Sequence, residues 1–169
     1  MKIPGLFIPV LIITLIGCSK KTDEQLMQKA VEEHKSDNVE EALLAYQEVV
    51  DEFPKSPRAP EALYAMGTIF HDKKHDSRKS VDILRKLVAE FPEHATCSNA
   101  LFLTGFIYNN ELKNYDSAKV AYEDFLKRFP TNPLVADARF ELDNLGRDPA
   151  EIIKGKIEKD ASKKSKKGK

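Results

Sequence analysis

Apolar residues recur every three or four positions through most of this chain, and that pattern itself recurs. Ala42, Ala45, Tyr46, Val49, Val50 and Phe53 fall on one face of a helix, as do Ala62, Ala65, Met66, Ile69 and Phe70. A Phe-Pro pair closes a helical run at Phe53-Pro54, Phe91-Pro92 and Phe129-Pro130, with 38 residues between successive copies. The same shift superposes Ala62, Ala100 and Ala138; Tyr64, Phe102 and Phe140; Gly67 and Gly105; Ile69, Ile107 and Leu145; and Tyr46, Leu84 and Tyr122. A fixed period of this length is the signature of a repeat architecture.

The pattern predicts helices over residues 22–35, 38–53, 58–72, 77–91, 96–111, 115–129 and 133–145. Ser56-Pro57 and Asn132-Pro133 supply an N-cap oxygen and a preset first helical residue, and Asn38 with Glu41 has the spacing of a capping box. Pro54, Pro92 and Pro130 end the second helix of each unit, because proline disfavours helical geometry in the residue before it. One helix pair cannot bury its apolar face alone, so the pairs must stack. The expected fold is all-α, a solenoid of about three and a half helix pairs over residues 22–146. A further short helix is expected to start at Asp148-Pro149 and to fold Ile152, Ile153 and Ile157 back on that end.

The two ends differ from the middle. With 169 residues and 41% hydrophobic content the chain supports one domain of ordinary size, and its formal charge of zero hides an asymmetry. Residues 147–169 carry nine basic against four acidic residues; without that tail and Lys2, the body has 17 basic against 23 acidic. The Lys-rich tail has almost no apolar residues at its end and is expected to be disordered. Aromatic interleaving is absent from it, so no nucleic-acid partner is expected; contact with anionic head groups, the acidic body or solvent accounts for it.

Residues 1–17 read as an export signal: Lys2, then an apolar run from Ile3 to Ile16 broken by Pro4, Gly5 and Pro9, too short for a comfortable membrane span. The run ends in Leu15-Ile16-Gly17-Cys18, which resembles the lipobox of bacterial lipoproteins. The resemblance implies acylation of Cys18 at a new N-terminus, a short linker over residues 18–21, and membrane attachment through the acyl chains. Ser19 rather than Asp after the cysteine implies, in diderm bacteria, the periplasmic face of the outer membrane. Cys97 then stands alone, cannot form an internal disulfide, and falls in a column of small apolar positions with Ala59 and Val135, so it reads as a buried structural residue.

The run Ala100-Leu101-Phe102-Leu103-Thr104-Gly105-Phe106-Ile107-Tyr108, followed by Ala118, Tyr122, Phe125 and Pro130, resembles the tetratricopeptide repeat (TPR), with one residue added between the helices and three before the next repeat. The longer period, the Phe-Pro ending and the lipobox together resemble the periplasmic subfamily that includes the lipoprotein of the outer-membrane β-barrel assembly machine and the TolA-binding cell-division coordinator. This implies a right-handed superhelix whose concave wall is built by the first helix of each pair. Aligned on the glycine column, the wall comprises Leu26, Ala30 and Glu33; Glu61, Tyr64, Thr68, His71 and Asp72; Asn99, Phe102, Phe106, Asn109 and Asn110; and Asp137, Phe140 and Asn144. Phe106 is the aromatic in a column of Ala30, Thr68 and Asn144. With Asn109 and Asn110 beside it, it either receives an extended peptide or fills a local gap while Phe102 and Phe140 pack between helices.

Other chemistry finds little footing. His71 and His75 are four apart, but His75 falls in an expected turn, so no metal site is expected, and His34 and His94 sit at helix boundaries. No phosphate-binding loop, nucleophile elbow or paired catalytic carboxylate stands in a supporting context, so neither catalysis nor a cofactor is expected. The expected function is a lipid-anchored scaffold that holds an envelope protein or peptide in the concave groove, in outer-membrane protein assembly; the alternative is a cell-wall or cell-division factor binding peptidoglycan or Tol-type proteins.

Overall fold

The computed structural model describes residues 20–148, 150–155 and 157–158. Its helices are α1 (Asp23–Lys35), α2 (Val39–Glu52), α3 (Arg58–Asp72), α4 (Ser77–Glu90), α5 (Thr96–Asn110), α6 (Tyr115–Arg128) and α7 (Val135–Asp143). Each begins and ends within two residues of its expected bounds, and no strand occurs among the described residues. Residues 150–155 and 157–158 are also helical; Ile152 is half-buried, whereas Ile153 and Ile157 are exposed. The expected export signal, Cys18 and the lysine-rich end of the tail lie outside the described residues.

Consecutive helices pack as antiparallel pairs, α1 with α2, α3 with α4 and α5 with α6, and each pair packs on the next. The first helices also touch sideways, α3 against both α1 and α5. One continuous core results, with Tyr46, Leu84, Leu87, Tyr122 and Phe125 of the second helices wholly enclosed between units. Enclosing each such side chain is worth about 1.5–3 kcal/mol, so the second helices anchor the stack. Phe102 meets Tyr122 and Phe125 edge-on, with ring centroids 5.8 and 5.9 Å apart. Gly67 and Gly105 let the two helices of a pair approach: a β-carbon would lie 2.7 Å from Leu84 at the first and 2.7 Å from Tyr122 at the second.

The Phe-Pro turn is the same in every copy. Phe53, Phe91 and Phe129 leave the helix at φ −131°, −130° and −126°, and ψ of 54° to 56°, as expected of a residue that precedes proline. All three rings are half-buried against the core. Two residues past each proline, Ser56 Oγ, His94 Nδ1 and Asn132 Oδ1 accept a hydrogen bond from the backbone N–H of Arg58, Thr96 and Leu134. The turn inside each pair places one residue in the left-handed region, Asp37, His75 and Lys113 at φ 61°, 51° and 52°. Asp76 and Asn114 then cap α4 and α6 by accepting from the N–H of Lys79 and Ser117.

Two expectations fail in the first unit. The capping box at Asn38 does not form: its side chain makes no cap bond and donates instead to Glu33 Oε2 at 2.8 Å. The turn from α1 to α2 spans residues 36–38, whereas the later ones span 73–76 and 111–114. One residue is missing, so α1 aligns with α3 by a shift of one less than the period. Ala30, not Lys29, is the buried counterpart of Gly67, and Leu26 matches Leu63. The placement of Leu26 and Ala30 on the groove is therefore corrected: at 1% and 0% exposure both belong to the core.

Candidate functional site

The first helices form one wall of the solenoid and the second helices the other. On the first wall, Tyr64 and Phe102 are half-buried and pack against the core; Phe102 lies between α5 and α6 rather than in open space. Thr68 is half-buried, with its hydroxyl donating to Ala65 O in its own helix at 2.8 Å. Asn99 is exposed in the first turn of α5. Phe140 is 51% exposed, one of the largest apolar surfaces that the fold leaves open.

His71 and Phe106 meet, although 35 residues apart in sequence: the rings lie edge to face, centroids 6.4 Å apart at 79°. Phe106 is half-buried and rests on the histidine. His71 Nε2 is 2.5 Å from Glu111 Oε1, Nδ1 faces Asp72 Oδ1, and Ser77 Oγ donates to the other oxygen of Glu111. Burial of the ring disfavours its charge, but the hydrogen bonds and charges of Asp72 and Glu111 outweigh that, so the His71 pKa is raised above its ordinary value.

Toward the C-terminal end, a depression of about 220 Å³ is lined by Asn109, Asn110, Phe140, Glu141, Asn144, Arg147, Ile152 and Ile153. Asn110 and Asn144 each donate back to the carbonyl four residues earlier, of Phe106 and Phe140, at 3.1 and 2.7 Å. Their amide NH₂ groups are thereby oriented by the helix. Asn109 differs: it is 8% exposed, donates to Glu141 Oε2 at 3.1 Å and accepts from Gly146 N at 3.3 Å. It ties α5 to the end of α7, and its amide is committed to the fold rather than to a peptide.

The sequence reading missed a larger hollow on the opposite wall. A cleft of about 490 Å³ runs between α4 and α6 over α5, with Val88, Ala89, Leu101, Val120 and Ala121 among its apolar lining. Thr104 at its base is 4% exposed, and its hydroxyl has no hydrogen-bond partner. One signal was present: Val120, at 66% exposure, stands in a column with Leu44 and Asp82.

Cys97 is buried, as expected; Arg128 donates to its Sγ at 3.0 Å and to Pro92 O at 2.8 Å. His75 lies in the turn, and among the described residues no group of three His, Cys, Asp or Glu is placed to hold a metal ion. No helix among the described residues is long and apolar enough to cross a membrane.

A tetratricopeptide-repeat family model matches residues 61–94 and 99–132, the segments that begin in α3 and α5. Among solved structures, the chain is similar to the first TPR of Spaghetti (RPAP3) bound to the HSP90 peptide SRMEEVD. The identity is 20% and the TM-score 0.57, over 73% of this chain and 89% of that one. It also matches a tetratricopeptide repeat protein from Parabacteroides merdae at 17% identity and TM-score 0.35, over 73% of this chain and 59% of that one. No curated protein matches the chain by sequence. The repeat period, the paired helices with glycine at their closest approach, the two matched segments and the shared architecture converge on one fold, a solenoid of the tetratricopeptide-repeat type.

Proposed function

We propose that the protein is a lipid-anchored, non-catalytic scaffold of the bacterial cell envelope that captures an extended peptide or partner domain on the wall of first helices. The observation that carries the proposal is the open aromatic surface of that wall: Phe140 at 51% exposure beside Asn110 and Asn144, with Phe106 one unit back and His71 against it from the unit before. Aromatic faces supply burial and oriented amides pair with peptide backbone, the combination that an extended peptide requires. The TPR of Spaghetti holds a peptide, which supports this use of the fold.

The anchor is compatible with the contacts nearest to it: Lys20, two residues after Cys18 in sequence, pairs with Glu52 at 2.5 Å, and Ser56 Oγ donates to Asp23 Oδ2 at 2.6 Å. Acyl chains on Cys18 would hold the first unit close to the bilayer, at the outer membrane on the Ser19 rule.

Two measurements test the reading. Crosslinking in the native envelope, followed by identification of the captured protein, should give an outer-membrane assembly partner that Phe106→Glu loses while the helical circular dichroism is retained. Capture of peptidoglycan or a Tol-type protein would favour the division role, and unaltered capture by Phe106→Glu would remove the wall from the function. Metabolic labelling with a fatty acid should mark the wild type and not Cys18→Ala; equal labelling would refute the anchor.

A further inference from the structure

The joint between the second and third helix pairs is held, at the proposed binding wall, by a cluster whose geometry calls for a proton. His71 lies in the last turn of α3, and its side chain is only 18% exposed. Both of its ring nitrogens face carboxylate oxygens, Asp72 from its own helix and Glu111 from the turn after α5. A neutral imidazole carries one N–H and cannot donate to both; the imidazolium can. The two carboxylates also belong to different helix pairs, so without a cation between them the joint would set like charges against each other.

Among the described residues no Lys or Arg forms an ion pair with Asp72 or Glu111, although the charge of Lys73 is felt at Asp72. Lys73 and Lys74, which follow on the same turn, reach back to the first pair and bond Asp37 and Glu40. From α4 the neighbour is the neutral Ser77, bonded to Glu111, and from α5 it is the ring of Phe106. Tyr64, two turns earlier on α3, stays neutral: burial first, and then the charge of Asp72, push its hydroxyl pKa up.

We propose that His71 is a proton-operated clasp of the groove: protonated, it locks α3 to the turn after α5 and fixes Phe106 on the wall; deprotonated, it frees the joint and displaces Phe106. The raised His71 pKa fits this geometry. Because the fold raises it, the stabilisation is complete below the unfolded value of about 6.5 and fades as pH rises through the folded midpoint. The clasp depends on the groove only for its consequence, so its test is separable from partner binding.

Proton NMR of the full chain should show His71 titrating above about 6.5, with Asp72→Asn and Glu111→Gln each moving it down, every unit being a tenfold change in the protonation equilibrium. Hydrogen exchange at the end of α5, corrected for intrinsic rates, should accelerate severalfold between about pH 6 and about pH 8 in the wild type and stay level in His71→Gln. Titration at or below about 6.5, or coincident exchange profiles for wild type and His71→Gln, would overturn the clasp. If both readouts behave as expected while envelope crosslinking through this wall is equal at the two pH values, the clasp stands and the coupling to the groove is refuted.

Discussion

Replacing Gly105 by alanine isolates the packing that sets the spacing within a helix pair. In a helix interior the exchange is favourable by about 1 kcal/mol from propensity alone. Against this, the new β-carbon would lie 2.7 Å from Tyr122 Cε1 and 2.9 Å from both Cδ1 and Cζ, all well inside van der Waals contact. The Tyr122 ring has no room to yield, being wholly buried and met edge-on by Phe102. Overpacking of this kind costs about 1–3 kcal/mol, and the overlap with a rigid ring puts this site toward the upper end. The expected net loss is about 1–2 kcal/mol, or roughly 3–10 °C in Tm by circular dichroism. Gly155→Ala provides the comparison, since nothing lies within 4 Å of a β-carbon there, and it should raise helicity without lowering Tm. A Tm for Gly105→Ala equal to or above that of the wild type would show that α5 and α6 are not held apart by this contact, and the account of the glycine column would fall.

Two further outcomes follow from buried polar atoms of the same units. Ser80 is fully enclosed and donates to Gly67 O at 2.8 Å, so Ser80→Ala should cost about 1 kcal/mol in urea unfolding, with no change in slope. The thiol of Cys97 is 0% exposed, and burial pushes its pKa up despite the nearby Arg128 guanidinium. In a Cys18→Ser chain, a thiol reagent at neutral pH should therefore label Cys97 only as fast as the protein unfolds, and immediate stoichiometric labelling in the native state would contradict the structure.

Helix positions were legible because their signals are local. Proline after Phe53, Phe91 and Phe129 acts on the residue before it, and Ser56 and Asn132 each accept from an N–H two residues on, although α3 and α7 begin one and two residues past Pro57 and Pro133 rather than at them. The register of α1 was not legible. The period was fixed on the second helices and the Phe-Pro turns, and nothing in the order Lys29-Ala30 says that the following turn is one residue short. At the groove, contacts set by long-range partners were not legible: Asn109 bonds Glu141 and Gly146, and Phe102 packs on Tyr122 and Phe125. The cleft between α4 and α6 draws its lining from three helices, so only Val120 betrayed it.

Between Thr22 and Asn144 the chain has two glycines, Gly67 and Gly105, and both lie inside helices. None of the turns contains one; those between pairs carry Pro54, Pro57, Pro92, Pro130 and Pro133, and those within pairs hold Asp37, His75 and Lys113 in a left-handed conformation that side chains seldom adopt. Such joints have few alternative conformations to visit. Apart from the play that the His71 clasp controls, these joints set the curvature of the array in advance, and a partner that fits the wall would bear little of the entropy of shaping it.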